Sequence, residues 1–362
     1  MNAVNRLIES PWRGVIYAAG GTLLLSDLAT TPGASNVLLA ATVPYHNRAM
    51  IDLLGYEPES HCSSLTSRRL AMQAFLRAQD LADVSDQDHV YGLGITAALR
   101  SVRAKRGEHR AYVALQTPRK SLVWHVPLKK GALSRLQEER ELADLALHFL
   151  EFGLGLDETN SDFTPTIGAD YHDSVPRLLG ETPAFHGNAG LAVLPGAFNP
   201  MHEGHRRMRE VAEERLNQHV VYELSIRNVD KPDLDFIDIS QRIEQFEADE
   251  YVLTNQPTFI EKARLLFSTS GGTFVVGADT LLRIDHEQYY DSLEHRDAAI
   301  AELTMLGIRF LVFGRRHGSD FLTLEDLKVG SDLGALCEGI SASEFQCDLS
   351  STELRETCRK QA

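Results

Sequence analysis

The feature that most constrains the fold is a strand-to-helix transition at residues 190–205. The sequence there reads GLAVLPGAFNPMHEGH. Residues 191–194 form an apolar run typical of a buried strand. A turn rich in Gly, Pro and Asn follows, and residues 203–216 combine helix-forming side chains with apolar positions at helical spacing. The sequence therefore predicts a strand, a tight turn and a helix, in that order.

Two histidines stand at the start of this predicted helix. His202 and His205 would lie on one face of its first turn. Free N–H groups at a helix N-terminus suit a phosphate, and donors aimed at a phosphoryl group stabilise the charge that develops during transfer. Gly196 allows a ligand to approach the backbone closely. Because imidazole titrates near neutral pH, the protonation state of His205 is expected to matter for this role. The alternative is that both histidines are ordinary surface residues.

Length and composition indicate a globular protein of two domains. The chain has 362 residues, of which 43% are hydrophobic. No apolar run reaches the roughly 18–20 residues of a membrane span, and the first residues lack the pattern of a signal peptide. We therefore expect a cytoplasmic protein. Its cysteines have no metal-binding spacing and are expected to be free thiols: Cys62, Cys337, Cys347 and Cys358.

The net charge of −15 argues against nucleic acid or an acidic membrane as a partner. It also means that an anionic nucleotide has to be held by local positive groups. The candidates are Arg206, Arg207, Lys231 and Arg355.

The pattern of elements divides the chain into three parts. Residues 1–153 alternate predicted strands and helices, which is typical of an α/β domain. Residues 154–189 are polar and broken by Gly and Pro, and they predict a linker. Residues 190–362 form the second predicted domain, which begins at the strand before Gly196.

The histidine motif resembles a known family signature. The string GAFNPMHEGH is similar to the GxFxPxHxGH signature of the nucleotidyltransferase superfamily, and its Asn-Pro form looks most like nicotinamide- and nicotinate-mononucleotide adenylyltransferases. Two further motifs of the superfamily follow in its order. Gly277-Ala278-Asp279 comes directly after a predicted strand, and Ser350-Ser351-Thr352 precedes Arg355 as in ISSTxxR.

This resemblance implies a Rossmann-like, doubly wound parallel sheet and adenylyl transfer from ATP to a pyridine mononucleotide, with Mg²⁺ bound through the ATP phosphates. It implies that His202 and His205 contact the triphosphate. The loop at Ser225–Asp230, with Lys231-Pro232, resembles the place where such enzymes receive the nucleotide. The remaining implied contacts are backbone groups of Gly196, Ala197 and Phe198, the nucleoside-lining Gly277 and Asp279, and Ser350, Ser351, Thr352 and Arg355 on the β- and γ-phosphates.

The first 153 residues resemble the amidase domain of competence/damage-inducible proteins, a nicotinamide-nucleotide deamidase. The match rests on PGAS at 32–35, on Tyr45 and Asn47, and on the strings Leu53-Leu54-Gly55 and Gly94-Ile95. The family's nucleophilic serine falls near Ala18 in this chain, where alanine supplies no nucleophile. For Thr22 and Ser26 we favour capping or core roles over catalysis. We therefore expect a domain that keeps the fold and lacks the amidase reaction.

Three alternatives stay open. Pantetheine-phosphate and alcohol-phosphate nucleotidyltransferases share the HxGH motif. A working deamidase in the first domain is a second alternative, and a non-catalytic nucleotide sensor is a third. The first domain's resemblance to the amidases also leaves self-association open.

Overall fold

The computed structural model describes residues 3–102, 107–157, 159, 161–229, 232–268, 270–317 and 320–346. It divides into two compact units. The first comprises Met1–Pro176 together with Leu234–Asp238, and the second comprises Arg177–Asp233 and Ile239–Ala362.

The first unit is a mixed sheet covered by helices. Its described strands pair in the order β2-β1-β3-β4-β5-β6, parallel from β2 to β3 and antiparallel beyond. The elements are α1 (Ala3–Glu9), β1 (Arg13–Ala19), α2 (Leu23–Ala29), β2 (Leu38–Thr42), α3 (Asn47–Leu54), α4 (Ser64–Leu81), β3 (Val90–Ala98), β4 (His109–Gln116), β5 (Lys120–Leu128), α5 (Arg135–Gly153) and β6 (Ile167–Asp170).

Local sequence signals explain where the two long helices begin. Ser63 caps α4 by accepting the Thr66 N–H, and Ser134 forms a capping box with Gln137 at the start of α5. Apolar residues of both helices face the sheet and are buried against it, among them Leu70 and Phe75 of α4 and Leu142 and Leu150 of α5.

A short segment from later in the chain, Leu234–Asp238, completes the first unit. The Asp235 carboxylate accepts two hydrogen bonds from Arg68, at 2.7 Å from Nε and 2.5 Å from Nη2. Arg69 Nη2 lies 2.5 Å from Asp238 Oδ2. Both arginines are buried, with exposed fractions of 8% and 9%, so each carboxylate neutralises a charge withdrawn from water.

The second unit is a nearly all-parallel sheet. Its elements are β7 (Phe185–Gly187), β8 (Ala192–Pro195), α6 (Glu203–Leu216), β9 (Val220–Ser225), α7 (Phe236–Ile243), β10 (Tyr251–Thr254), α8 (Phe259–Phe267), β11 (Gly272–Gly277), α9 (Ala278–Asp285), α10 (Leu293–Met305), β12 (Ile308–Phe313), β13 (Arg315–His317), β14 (Asp320–Leu322), α11 (Ser331–Gly334) and β15 (Cys337–Ile340). The first residues of α7 belong to the first unit.

The strand order identifies the second fold. The strands lie in the order β15-β12-β11-β8-β9-β10-β7, parallel throughout except for β7. After the edge strand β7, the chain enters the centre of the sheet at β8, runs outward through β9 and β10, and then returns to the other side of β8 at β11. This is a doubly wound Rossmann-like sheet, as predicted.

The segment predicted to be a linker contributes a strand to each sheet. The predicted linker at 154–189 contributes β6 to the first sheet and β7 to the second.

In the described part of the chain, no helix combines the length and the apolar character that crossing a membrane requires.

Candidate functional site

The candidate site lies at the point where the order of the second sheet reverses. β8 pairs with β9 on one side and with β11 on the other. The turn with the two histidines leaves the carboxyl end of β8, and the Gly277–Asp279 motif leaves the carboxyl end of β11. Ligands of doubly wound sheets bind outside the carboxyl ends of the strands at this reversal. The fold therefore brings two of the predicted motifs to one edge of the sheet.

We call residues 196–205 the histidine turn. It begins with Gly196, whose N–H donates to the Glu223 carbonyl at 2.9 Å and so continues the pairing of β8 with β9. A Cβ on Gly196 would lie 2.5 Å from the ring of Phe198. Glycine at this position is therefore explained by the packing of Phe198 inside the turn. The sequence interpretation, close approach to a ligand, missed this reason.

Phe198 is the buried centre of the histidine turn. Its exposed fraction is 1%, and its ring contacts the rings of His205, Tyr222 and Phe246 edge-on, with centroids 5.1, 5.2 and 5.3 Å away. Its φ of 43° is in the left-handed region, which costs a non-glycine residue about 1 kcal/mol or more. The packing of the ring holds this backbone conformation in place.

The two histidine rings are stacked. Their centroids lie 3.7 Å apart with 23° between the ring planes. The backbone N–H of His202 donates to His205 Nδ1 at 3.3 Å. In the neutral ring of His205 the proton is therefore on Nε2. His202 Nδ1 is buried and has no hydrogen-bond partner in the described part of the chain.

Burial keeps both rings neutral at physiological pH. Burial, and then the nearby His202, lower the pKa of His205 to about 4. Burial also lowers the pKa of His202. Titration near neutral pH, which imidazole alone would suggest, therefore does not apply to His205 in this structure. At pH 7 its ring offers one N–H donor, at Nε2.

A buried ion pair underlies the turn. Glu223, within β9, accepts from Lys262 Nζ at 2.9 Å and from the Thr254 hydroxyl. All three side chains are buried, with exposed fractions of 0%, 5% and 0% for Glu223, Lys262 and Thr254. The charges are paired and hydrogen-bonded, which is the condition for a buried pair to be tolerated. The pair fixes the strand whose carbonyl receives the Gly196 N–H.

The second motif begins α9. Gly277 is its N-cap residue, and a Cβ there would meet no described atom within 4 Å, so this side of the motif has room for a ligand. Asp279 lies in the first turn of α9 and pairs with Arg315, which follows β12. Both side chains are about half exposed, at 50% and 57%. Arg315 was not among the predicted site residues, and its only sequence signal is its place just after a buried strand.

Comparison with protein families supports a general class for the second unit. Residues 193–357 match the family model described as cytidylyltransferase-like. These residues are therefore similar to that family, and we call them the cytidylyltransferase-like domain. The match covers the histidine turn, the Gly277–Asp279 motif and the predicted SSTxxR motif, and it supports nucleotidyl transfer as the general reaction class. No curated protein sequence matches the chain.

Several predicted residues of the cytidylyltransferase-like domain lie outside the described residues. They are Lys231, Ser350, Ser351, Thr352 and Arg355. Of the other candidate cations, Arg206 and Arg207 are exposed on α6, and Arg207 pairs with Glu210 at 2.9 Å. The structure thus brings together His202, His205 and Phe198, and it places Asp279 beside Arg315.

In the first unit, residues 18–22 form the corresponding strand-to-helix turn, which we call the first-unit turn. Ala18 is completely buried, and Gly20 and Gly21 have φ values of 147° and 65°. The Thr22 N–H donates to Glu139 Oε2 at 3.0 Å, and Arg135 donates to Glu139 Oε1 at 2.6 Å. The Thr22 backbone N–H of this turn is therefore already hydrogen-bonded to a carboxylate of the same chain.

Three solved structures are similar to the chain at low identity. They are the competence/damage inducible protein CihA from Agrobacterium tumefaciens (20% identity, covering 42% of this chain and 93% of that chain, TM-score 0.35), a competence or damage-inducible protein from Enterobacter asburiae (15%, 41% and 92%, 0.34) and the competence damage-inducible protein A (ComA) from Klebsiella pneumoniae (13%, 43% and 98%, 0.35). At these values the likeness carries no argument about activity.

Proposed function

We propose that the cytidylyltransferase-like domain transfers an adenylyl group from ATP to a pyridine mononucleotide, giving NAD or deamido-NAD and pyrophosphate. The observation that carries the proposal is the stacked pair of neutral imidazoles at the reversal point of a doubly wound sheet. That position is where such sheets bind nucleotides.

In the proposed reaction, an oxygen of the mononucleotide phosphate attacks the α-phosphorus of ATP. A bond forms between them, the bond from the α-phosphorus to the bridging oxygen breaks, and pyrophosphate leaves with the electron pair. No covalent enzyme intermediate is needed, so positioning and charge stabilisation dominate. Mg²⁺ is treated as part of the ATP substrate, bound through its phosphates. In the described part of the chain, no three His, Cys, Asp or Glu side chains cluster as metal ligands.

The histidines supply the donors of this mechanism. In the proposal, the Nε2–H of His205 faces the triphosphate and stabilises the negative charge that builds up as the bridging bond breaks. Because the pKa of His205 is lowered to about 4, this donor does not depend on protonation at neutral pH. The approach of a polyanion would raise that pKa and strengthen the donor.

The choice of a pyridine mononucleotide is the finer part of the proposal. It is supported by the Asn199-Pro200 form of the motif and by the resemblance of the first 153 residues to a nicotinamide-nucleotide amidase. Gly277 offers room beside the motif, and the Asp279 carboxylate is suited to accept a ribose hydroxyl. Ser350, Ser351, Thr352 and Arg355 are proposed to hold the β- and γ-phosphates. We propose the cytoplasm as the place of the reaction.

The deciding experiment measures pyrophosphate release by the full chain with Mg²⁺ and ATP. The acceptors are nicotinamide mononucleotide, nicotinate mononucleotide and pantetheine phosphate, with ammonia release followed in parallel. We expect pyrophosphate and a dinucleotide with one or both pyridine mononucleotides. Activity with pantetheine phosphate alone would refute the pyridine assignment. No pyrophosphate with any acceptor would refute adenylyl transfer to these acceptors.

A further inference from the structure

The histidine turn is held by two side chains, one in the last turn of α7 and one just after that helix. Gln245 Oε1 accepts the Met201 N–H at 2.8 Å, and Gln245 Nε2 donates to the Phe198 carbonyl at 3.0 Å. One side-chain amide therefore ties together both ends of the segment from Phe198 to Met201. Three residues earlier, Arg242 Nη1 donates to the Ala197 carbonyl at 3.0 Å.

The chemistry of the amide makes this contact specific. Gln245 faces one backbone donor and one backbone acceptor, and glutamine presents one acceptor and one donor in the matching order. Turning the amide over would set oxygen against the Phe198 carbonyl and nitrogen against the Met201 N–H. Nε2 also lies 3.1 Å from the Arg242 carbonyl, which fixes the amide further. Glutamate lacks the donor, methionine lacks both amide groups, and asparagine is one methylene shorter.

The held segment leads directly to the histidines. Met201 precedes His202, whose N–H donates to His205 Nδ1. Phe198 packs edge-on against the His205 ring. Phe246, next to Gln245 in the chain, also packs edge-on against the Phe198 ring, with centroids 5.3 Å apart. A shift of the turn would therefore move the His205 ring and open it to water.

We propose that Gln245, supported by Arg242, is a positioning residue that fixes the histidine turn and thereby the placement and the tautomer of His205. Its kinetic consequence rests on the proposed adenylyl transfer. Its structural consequence, a fixed His205 ring, does not.

The test compares Gln245→Met with Gln241→Met in the full chain. Methionine preserves the length of the side chain and removes both hydrogen bonds. Gln241, four residues earlier and still within α7, is exposed, so it controls for the substitution itself. With ATP and the accepted mononucleotide, we expect Gln245→Met to lower kcat by about 10–100-fold with a KM within about threefold of normal, because small misplacements mainly cost the transition state. Gln241→Met should be unchanged.

A second readout needs no activity. Histidine ¹H–¹⁵N spectra report the tautomer and the titration of each ring. In Gln245→Met the His205 resonance should titrate closer to neutral pH and lose its fixed Nε2–H tautomer, whereas Gln241→Met should match the wild-type protein. Normal kcat together with a normal His205 titration in Gln245→Met would overturn the inference.

Two further outcomes are also informative. If Gln245→Met does not fold, Gln245→Glu keeps the size and the acceptor for the Met201 N–H but removes the donor to the Phe198 carbonyl. Wild-type kcat and titration in that variant would overturn the two-point tie. If the wild-type protein releases no pyrophosphate with any acceptor, the proposed function fails, and the His205 titrations still decide the positioning role.

Discussion

The histidine turn and the first-unit turn share a topology and differ in chemistry. Each follows a buried parallel strand and leads into a helix. In the first unit, the backbone N–H of Thr22 is already hydrogen-bonded to the Glu139 carboxylate. The position of the expected nucleophile is Ala18. In the second unit the turn presents two stacked imidazoles, and one of their buried nitrogens has no partner in the described part of the chain.

From this difference we expect that the side chains, and not the strand-to-helix turn itself, decide whether a reaction takes place there. A backbone donor paired with an internal carboxylate is not available to a substrate. In the histidine turn the donor of His205 at Nε2 is set by the hydrogen bond at its other nitrogen. The following predictions test this contrast, from the largest expected effect to the smallest.

Replacing His205 should have the largest effect. We expect His205→Ala to lower kcat for pyrophosphate release by about 10²–10³-fold, the usual cost of removing one donor to a developing charge. The matched control is His295→Ala, an exposed histidine of the second unit. Near-normal turnover in His205→Ala would remove the distinction between the two turns.

Removing the internal carboxylate should destabilise the first unit without creating an activity. We expect Glu139→Ala to lower the free energy of unfolding by about 1–3 kcal/mol, because it removes the acceptor of the Thr22 N–H and the ion-pair partner of Arg135. Glu141→Ala, an exposed glutamate on the same helix, is the control in urea denaturation. Ammonia release from nicotinamide mononucleotide by the wild-type chain or by Glu139→Ala would show that the first-unit turn is catalytic after all.

The Gly277–Asp279 motif should contribute less than the histidines. Asp279→Ala should lower kcat/KM for the nucleotides by about tenfold, the value of one hydrogen bond to a charged group. Asp291→Ala, an exposed residue of the same unit, should have no effect. Equal kinetics for the two variants would exclude Asp279 from nucleotide binding.

The smallest effect concerns pH. Because the folded-state pKa of His205 is lowered to about 4, the unfolded chain takes up this proton first as the pH falls. The stability that neutral His205 provides is therefore present above about pH 6.5 and is lost toward pH 4. Between pH 7 and 5.5 the wild-type protein should lose about 1 kcal/mol more unfolding free energy than His205→Asn. Parallel pH dependence for the two proteins would contradict the burial of this ring.

The sequence predicted the elements that carry strong local signals. The helix at Glu203–Leu216 and the parallel, doubly wound second sheet are confirmed. They could be predicted because apolar strands and a Gly/Pro turn specify them within a few residues. The strands β7, β10 and β15 were missed. They are three or four residues long, and their pairing depends on neighbours that lie far away in the sequence.

Other parts of the candidate site depend on tertiary contacts. Nothing in the sequence indicates that Gln245 contacts Phe198 and Met201, or that Arg315 pairs with Asp279. The helix α7 begins at Phe236, where the Asp235 carboxylate accepts the Asp238 N–H and caps it. The lowered pKa of His205 also arises from packing, which periodicity does not reveal.

The short segment Leu234–Asp238 limits how the chain can be dissected. A gene truncated anywhere between the two predicted domains would separate this piece from α4, whose Arg68 and Arg69 it pairs with. Arg68 and Arg69 would then be left buried without their carboxylates, at a cost of several kcal/mol. A recombinant amino-terminal half should therefore be poorly folded unless residues 234–238 are supplied in trans or grafted onto its end, and inactivity of such a fragment would say little about the intact polypeptide.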